Sequence, residues 1–300
     1  MQLSNDKFRG TGVAIVTPFA KSGDIDFESF GKVLDHLIVN GVEYLVVMGT
    51  TGETPTLSKE EKKAVLEFSI TKIKSRVPLV IGIGGNNTAE VVHSIQDTKF
   101  EGIDAILSVS PYYNKPQQQG IFEHFKAIAD ASPVPVILYT VPGRTGGNII
   151  AETTLKLANA TANIIGIKEA SGNFDQVYHL LKYRPKDFLV ISGDDNLTLS
   201  FLAAGVDGVI SVGANAYPKE FSEMVRAGLK GDFEKARTIH FQLLEFMSAI
   251  FADGSPAGIK AALEIRQLCG NFLRLPLVPV NEVASAKIRK TIEQIDKTNI

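Results

Sequence analysis

The chain of 300 residues has 44% hydrophobic and 21% charged residues, which is typical of a globular protein with a large core and excludes a disordered chain. Its formal net charge of -2 gives no bulk attraction to nucleic acid or to anionic lipid, so neither is expected as a partner. The single cysteine, Cys269, excludes an intrachain disulfide, and the polar start and the lack of a run of roughly 18 apolar residues favour a cytoplasmic protein.

Eight short apolar runs rich in β-branched residues recur along the chain, and each is followed by a turn and a helical pattern. Continuous apolar strands that alternate with helices are typical of a parallel sheet whose faces are both covered. The predicted strands are residues 13–16, 44–48, 79–83, 105–109, 136–139, 164–167, 188–191 and 208–212.

The segments between the runs carry helix start and stop signals. Asp26 is the predicted N-cap of the first helix, and Ser58 with Glu61 has the spacing of a capping box. Gly205 and Gly231 stand where such helices are expected to end. Three further helices are predicted at 233–251, 256–268 and 281–295.

Eight strand–helix units in sequence predict an α/β protein with a (β/α)8 TIM barrel and a C-terminal helical extension. A doubly wound open sheet is the alternative fold, but no Gly-x-Gly-x-x-Gly fingerprint follows the first strand. We assign residues 1–231 to a catalytic barrel and residues 232–300 to a helical domain without an activity of its own.

Lys168 ends the apolar run that starts at Ile164, which is an unusual place for a lysine. A buried ammonium tends to lose its proton, and the neutral amine attacks carbonyl carbon to form an imine. The alternative is a lysine that leaves its strand into water and pairs with the adjacent Glu169. Reactive groups of such barrels gather where the strands end, so the neighbouring strand ends decide between the two.

Three other strand ends carry chemistry-bearing side chains. Gly49-Thr50-Thr51-Gly52-Glu53 can present hydroxyls and backbone amides to a small carboxylate, although an ordinary turn has the same spacing. Tyr139 offers a phenol for proton transfer, and Arg144 follows on a glycine-rich loop with a planar fork suited to a carboxylate. Tyr112 and Tyr113 lie in a stiff loop between Pro111 and Pro116, where packing or an interface is the ordinary role.

Metal catalysis is not expected, because the five histidines fall mostly within helix patterns and form no His-Glu-x-x-His motif or close cluster. Cys269 lies in a late helix, where a small buried hydrophobe is expected sooner than a nucleophile.

In these motifs the chain resembles the dihydrodipicolinate synthase/N-acetylneuraminate lyase family of lysine-dependent barrel enzymes. The resemblance is carried by the segment from Gly49 to Glu53, by Tyr139-x-Val141-Pro142-x-Arg144-Thr145-Gly146 and by Gly166-Ile167-Lys168-Glu169, in that order. It runs over nearly the whole chain. One departure is Thr140, which stands where the family commonly has asparagine.

The resemblance implies the following site. Lys168 forms the Schiff base with pyruvate, Thr51 and the nearby amides hold the pyruvate carboxylate, and the backbone at Ile210 and Gly193 completes the pocket. Tyr139, Thr50 and Tyr113 form a proton relay, and Arg144 binds the carboxylate of the second substrate. The loop from Ser110 to Pro116 implies that this substrate is aspartate-4-semialdehyde, with no cofactor and no metal.

The resemblance also implies an assembly and a regulatory site. In this family the residue that matches Tyr113 reaches into the site of a neighbouring subunit, so a homotetramer made of two tight dimers is expected. Many members bind lysine at the dimer interface, and the matching positions are Asn86, Glu90 and Tyr112, with Lys62 where lysine-sensitive members often carry histidine. The alternative is that Asn86 and Glu90 merely begin a barrel helix.

Two other functions remain open from the sequence. An N-acetylneuraminate lyase or a 2-keto-3-deoxy sugar-acid aldolase would share Lys168 and Tyr139, whereas Arg144 and the tyrosine pair favour a short aldehyde that carries a carboxylate. A catalytically silent barrel that binds a keto acid is the second alternative, but it would be expected to lack the lysine, the tyrosine or the threonine pair.

Overall fold

A computed structural model describes residues 5–297 of the chain. Its sheet is a closed barrel of eight parallel strands in sequence order, so the predicted (β/α)8 fold is confirmed. The strands are β1 (Gly10–Ala14), β2 (Tyr44–Val47), β3 (Leu79–Gly82), β4 (Ala105–Val109), β5 (Val136–Thr140), β6 (Ile164–Glu169), β7 (Leu189–Ser192) and β8 (Gly208–Ser211).

Helices follow the strands and cover the outside of the barrel. They are α1 (Phe27–Val39), α2 (Lys59–Ile73), α3 (Thr88–Gln96), α4 (Gln118–Ala131), the short α5 (Pro142–Thr145), α6 (Ala151–Ala160), α7 (Phe174–Tyr183), α8 (Thr198–Ala204) and α9 (Pro218–Leu229). The two predicted start signals are confirmed: Asp26 accepts the amide of Ser29, and Ser58 and Glu61 form a reciprocal capping box.

The first strand begins three residues earlier than predicted, at Gly10 instead of Val13. The strand was not recognised over its full length because its glycines interrupt the apolar pattern. The barrel nevertheless requires a glycine at position 12. A Cβ on Gly12 would lie 2.2 Å from the ring of Tyr44, which fills the barrel interior opposite it. The missing side chain at position 12 therefore makes room for the tyrosine.

Two apolar clusters form the core. The larger lies between the strands and the surrounding helices, and the smaller fills the barrel interior. Alternate residues of each strand contribute to the two, as in β5, where Ile137 and Tyr139 face inward while Val136 and Leu138 face the helices. Phe8 joins the interior cluster and lies beside Tyr44, with 5.7 Å between the ring centroids.

Three helices follow the barrel, as predicted: α10 (Phe233–Ala249), α11 (Ala257–Ile265) and α12 (Glu282–Lys297). The first packs on α9 and on α12, and α11 packs on α12. The division at residue 231 stays a prediction, and residues 1–4 and 298–300 of the two predicted segments lie outside the described residues. Within the described part of the chain, no helix is both long enough and apolar enough to cross a membrane.

Candidate active site

A change of register in β6 turns Lys168 into the barrel. Along β5 and β6, Val136 lies opposite Ile164 but Ile137 lies opposite Gly166, so Ile165 is an extra residue of β6. Such a bulge reverses which side chains face inward after it. Ile165 faces the interior and Ile167 faces the helices, and Lys168 then points inward, where strict alternation from Ile165 would have turned it outward.

Lys168 and Tyr139 are paired across β5 and β6 at the carboxyl end of the barrel. The lysine Nζ lies 4.5 Å from the centroid of the tyrosine ring, and the two residues are 5% and 7% exposed. This contact places the lysine side chain inside the barrel, over the face of the phenol. The two predicted catalytic residues are thus brought together, whereas the alternative of a solvated Lys168 paired with Glu169 is wrong.

Gly193 and Ile210 lie on the next two strand ends, as predicted. Gly193 follows β7, its amide donates to the carbonyl of Glu169 at 2.7 Å, and a Cβ there would lie 3.0 Å from Cε of Lys168. Ile210, in β8, is 1% exposed and belongs to the interior cluster. A glycine at position 193 therefore leaves the room that the lysine side chain occupies.

The predicted carboxylate-binding turn forms a short 3-10 helix, Thr50–Gly52, directly after β2. Thr51 is 4% exposed, whereas Thr50 is exposed. The turn is held on two sides, because Thr17 donates its hydroxyl to the carbonyl of Gly52 at 2.8 Å and Thr54 donates to that of Gly49 at 3.0 Å. Hydroxyls and amides fixed in this way can donate hydrogen bonds to a small anion without rearranging.

Arg144 lies in α5, three residues beyond the inward-facing Val141. Its side chain is exposed, and Nη2 donates to the carbonyl of Ser255 at 3.3 Å. The guanidinium therefore keeps donors for a second partner, and one backbone contact joins it to the segment between α10 and α11.

Tyr113 does not lie buried beside Tyr139. It is 88% exposed and has a backbone φ of 71°, an uncommon conformation for a residue with a side chain, so the loop projects it away from its own barrel. The predicted regulatory residues are partly brought together, because Asn86 donates to the carbonyl of Tyr112 at 3.1 Å. Glu90 is exposed in α3, and Lys62 is half-buried in α2.

A polar network behind Lys168 and Tyr139 was missed by the sequence analysis. Thr140 donates to Oδ1 of Asn148 at 2.8 Å, Asn148 donates to Oε1 of Gln176 at 2.8 Å, and Gln176 donates to a carboxylate oxygen of Glu169. Burial raises the pKa of Glu169, while hydrogen bonds from Ser171 and Gln176 oppose that shift. The network joins the two residues that directly follow Tyr139 and Lys168.

Asp195 was also missed, although it connects two strand ends of the site. Its carboxylate accepts the amides of Gly213 at 2.7 Å and Val212 at 3.2 Å, so it ties the loop after β7 to the end of β8. Burial raises the pKa of Asp195 to about 6, against these hydrogen bonds. The sequence could not show which of the two adjacent aspartates, Asp194 or Asp195, is buried.

Among residues 5–297, no three His, Cys, Asp or Glu side chains are grouped so that they could hold a metal ion. Cys269 is buried in apolar surroundings that raise the pKa of its thiol to about 12, which makes it a poor nucleophile.

Comparisons with known proteins identify the family to which the chain belongs. The sequence profile of the Dihydrodipicolinate synthetase family matches residues 7–295. The chain is 50% identical to 4-hydroxy-tetrahydrodipicolinate synthase of Parabacteroides distasonis, over 98% of this chain and 99% of that protein.

Two solved structures share the whole fold. The dihydrodipicolinate synthase of Acinetobacter baumannii, complexed with pyruvate, superposes with a TM-score of 0.93 at 38% identity, over 96% of this chain and 99% of that one. That of Cyanidioschyzon merolae, with lysine bound, has a TM-score of 0.93 at 36% identity, over 97% and 99% of the two chains. The resemblance found in the three sequence motifs is confirmed, and the chain belongs to the dihydrodipicolinate synthetase family.

Proposed function

We propose that the chain is a Schiff-base lyase that condenses pyruvate with L-aspartate-4-semialdehyde to 4-hydroxy-tetrahydrodipicolinate, on the route to diaminopimelate and lysine. The observation that carries the proposal is the pairing of Lys168 with Tyr139 inside the carboxyl end of the barrel, 4.5 Å apart from Nζ to ring centroid. The relative from Parabacteroides distasonis bears the name of this activity and covers nearly the whole chain.

The chemistry follows from the amine of Lys168. The amine adds to the pyruvate carbonyl, and loss of water gives an imine that draws electrons from the methyl group. A methyl proton can then leave at neutral pH, and the resulting enamine attacks the aldehyde carbon of the second substrate. The amino group of that substrate closes the ring on the imine carbon and releases Lys168. These steps require proton transfer but neither a metal nor a diffusible cofactor.

We assign a role in these steps to each residue of the site. Thr51 and the amides of its turn, with the backbone at Ile210 and Gly193, hold the pyruvate carboxylate. Tyr139 exchanges protons with the forming imine, and Thr50 continues the relay towards solvent. Arg144 binds the carboxylate of the semialdehyde at the exposed rim.

Tyr113 completes the relay of a neighbouring subunit. Its exposure of 88% and its projecting loop support this role, because the loop carries the phenol away from the site of its own barrel. Two subunits that exchange Tyr113 in this way form a dimer. We infer that two such dimers form a homotetramer in the cytoplasm.

Trapping with borohydride tests the catalytic assignment. Pyruvate and borohydride should add one reduced pyruvyl group to the wild-type chain at Lys168, and Lys168→Ala should take up none. Lys182→Ala, which changes an α7 lysine away from the barrel interior, serves as the matched control and should label fully. Efficient labelling of another lysine in the wild-type chain would refute the assignment of Lys168.

The substrate assignment has a separate test. With pyruvate present, turnover should require aspartate-4-semialdehyde, and N-acetylneuraminate or 2-keto-3-deoxy sugar acids should not be cleaved. Cleavage of either sugar acid at a comparable rate would favour the alternative lyase reading.

We also propose that L-lysine binds beside the loop after β4 and lowers the rate. Asn86 already contacts this loop through the carbonyl of Tyr112, Glu90 offers a carboxylate to an ammonium, and Lys62 offers an ammonium to a carboxylate. The relative from Cyanidioschyzon merolae binds lysine. Initial rates measured against L-lysine should fall, and Glu90→Gln should weaken the inhibition; an unchanged rate at millimolar lysine would refute the regulatory site.

A further inference from the structure

A buried ion pair connects the turn Thr50–Gly52 to the C-terminal helical segment. Nζ of Lys260, in α11, lies 2.5 Å from Oε1 of Glu53, and both side chains are 0% exposed. Glu53 directly follows the turn, and Lys260 comes from the helices beyond the barrel. The mechanism proposed above uses neither residue.

The pair is well satisfied despite its burial. Lys260 also donates to the carbonyl of Phe272 at 2.8 Å and lies 4.2 Å from the ring centroid of Phe19, while the second oxygen of Glu53 accepts the amide of Arg274 at 3.1 Å. Burial lowers the pKa of Lys260, and the carboxylate of Glu53 counters that effect. Removing one partner would leave the other as an uncompensated buried charge, which is strongly destabilising.

The ion pair also restrains the backbone of the turn, because Glu53 is the residue that ends it. Glu53 has φ 52° and ψ 33°, a left-handed conformation that is unfavourable for a residue with a side chain, and its amide donates to the carbonyl of Thr50 at 3.2 Å. Because the side chain of Glu53 is fixed by Lys260, the end of the turn is fixed as well. A residue in a sparsely populated conformation persists only where its surroundings enforce it.

Arg274 strengthens the same connection from the C-terminal side. Its guanidinium donates to the carboxylate of Glu61, at the start of α2, at 2.7 Å and 2.5 Å, and to the carbonyl of Thr56 at 2.9 Å. The C-terminal segment therefore holds the connection between β2 and α2 on both sides of Glu53. Stability alone does not explain an ion pair at this place, because a buried ion pair contributes little net stability compared with apolar residues of similar volume.

We infer that Lys260 and Glu53 are positioning residues that hold the turn Thr50–Gly52 in the conformation that binds the pyruvate carboxylate. The inference rests on the proposed function. It gives the C-terminal helices a part in substrate binding.

The test uses the variants Glu53→Gln, Lys260→Met and the double variant Glu53→Gln/Lys260→Met. Half-saturation by pyruvate is measured both from initial rates and from borohydride trapping at Lys168. Each variant should raise the pyruvate concentration for half-saturation about tenfold or more, while the rate at saturating pyruvate and the KM for the semialdehyde change less than about threefold. This result would mean that the turn binds the pyruvate carboxylate more weakly while the imine chemistry is preserved.

The double variant and a control at a second ion pair distinguish an effect on the position of the turn from an effect on the stability of the protein. The double variant leaves no unpaired buried ammonium, so its thermal midpoint should lie above that of Glu53→Gln, yet its half-saturation should stay raised. Arg184→Met is the control, because Arg184 and Arg9 both pair with the 1% exposed side chain of Asp207, away from the turn. This variant should lower the thermal midpoint and leave pyruvate half-saturation within about twofold.

The outcomes distinguish the inference from the proposed function. If wild-type protein is not trapped at Lys168, the proposed function fails. If the wild-type chain is trapped but the soluble double variant has wild-type half-saturation, or if Arg184→Met raises it equally, the positioning role of Lys260 and Glu53 is wrong.

Discussion

The substitution Gly193→Ala should slow imine formation by adding a single methyl group beside Lys168. The new Cβ would lie 3.0 Å from Cε and 3.1 Å from Cγ of the lysine, and 2.7 Å from Cβ of Ala170. Ordinary contacts between carbon atoms lie at roughly 3.5–4.0 Å, so the lysine stem must move by about 0.5–1 Å. Ala170 has no side-chain rotamer to change, and relief on that side requires a shift of the backbone.

Two magnitudes follow from this geometry. Overpacking of a filled interior costs about 1–3 kcal/mol of unfolding free energy. Displacement of a reacting atom by about 1 Å costs about a hundredfold in rate. We therefore expect kcat and the rate of pyruvate trapping to fall about a hundredfold, while the chain stays folded.

Single-turnover trapping with pyruvate and borohydride measures the effect on the imine step directly. Gly147→Ala is the matched control, because a Cβ at Gly147 would meet no atom within 4 Å. It should retain the wild-type trapping rate. If Gly193→Ala traps pyruvate at the wild-type rate and melts normally, then the space beside Lys168 is not what position 193 provides.

Three further substitutions test the supporting structure. Gly166→Ala places a Cβ 2.7 Å from the carbonyl oxygen of Leu189, so it should disturb the bulge of β6 and lower both the thermal midpoint and pyruvate trapping; unchanged trapping would refute the role of the bulge. Thr140→Val removes the hydroxyl that accepts the amide of Ile149 at 3.1 Å, and an orphaned buried amide should cost about 1–3 kcal/mol in chemical denaturation. Burial lowers the pKa of His124 to about 4. The neutral ring therefore contributes fully to the free energy of unfolding above pH 6.5, and this contribution is lost as the pH falls towards 4. His124→Gln should abolish up to about 3 kcal/mol of this acid-induced loss in denaturation curves at pH 7 and pH 4, and equal losses in both proteins would contradict the assignment.

The barrel was predictable because its strands are buried on both faces and therefore read as continuous apolar runs. Seven of the eight predicted runs overlap their strands with boundaries that differ by no more than two residues. The first was misplaced because Gly10 and Gly12 contribute no apolar side chain, although the fold needs their lack of bulk. Space that a glycine leaves for another residue appears only when the two are seen together.

The position of Lys168 at the end of β6 was predictable, but the direction of its side chain was not. Counting by alternation from Ile165 places Ile167 inside and Lys168 outside, and a bulge of one residue reverses that result. Gly166 was the only local signal, since a glycine within a strand is common at bulges. The family motif singled out Lys168 by resemblance, without supplying this reason for its inward direction.

The supporting polar groups could not be predicted, because their partners are far apart in the chain. Lys260 lies in the apolar stretch Ala257-Gly258-Ile259-Lys260-Ala261-Ala262, which is a signal of the same kind as that of Lys168. Sequence alone could not show that its partner is Glu53, 207 positions away. The same limit applies to Gln176, which reads as an ordinary residue in the first turn of α7 and yet contacts Glu169.

The departure at Thr140 has a structural explanation of this kind. The family commonly has asparagine at this place, directly after the tyrosine of the motif, and a threonine cannot supply an amide. Here Asn148 lies against the Thr140 hydroxyl and donates its own amide to Gln176, so an amide is supplied from eight residues along the chain. Because the side chain of Thr140 faces the helices and that of Tyr139 faces the interior, the exchange alters the support behind the site and leaves the groups that would meet the substrate unchanged.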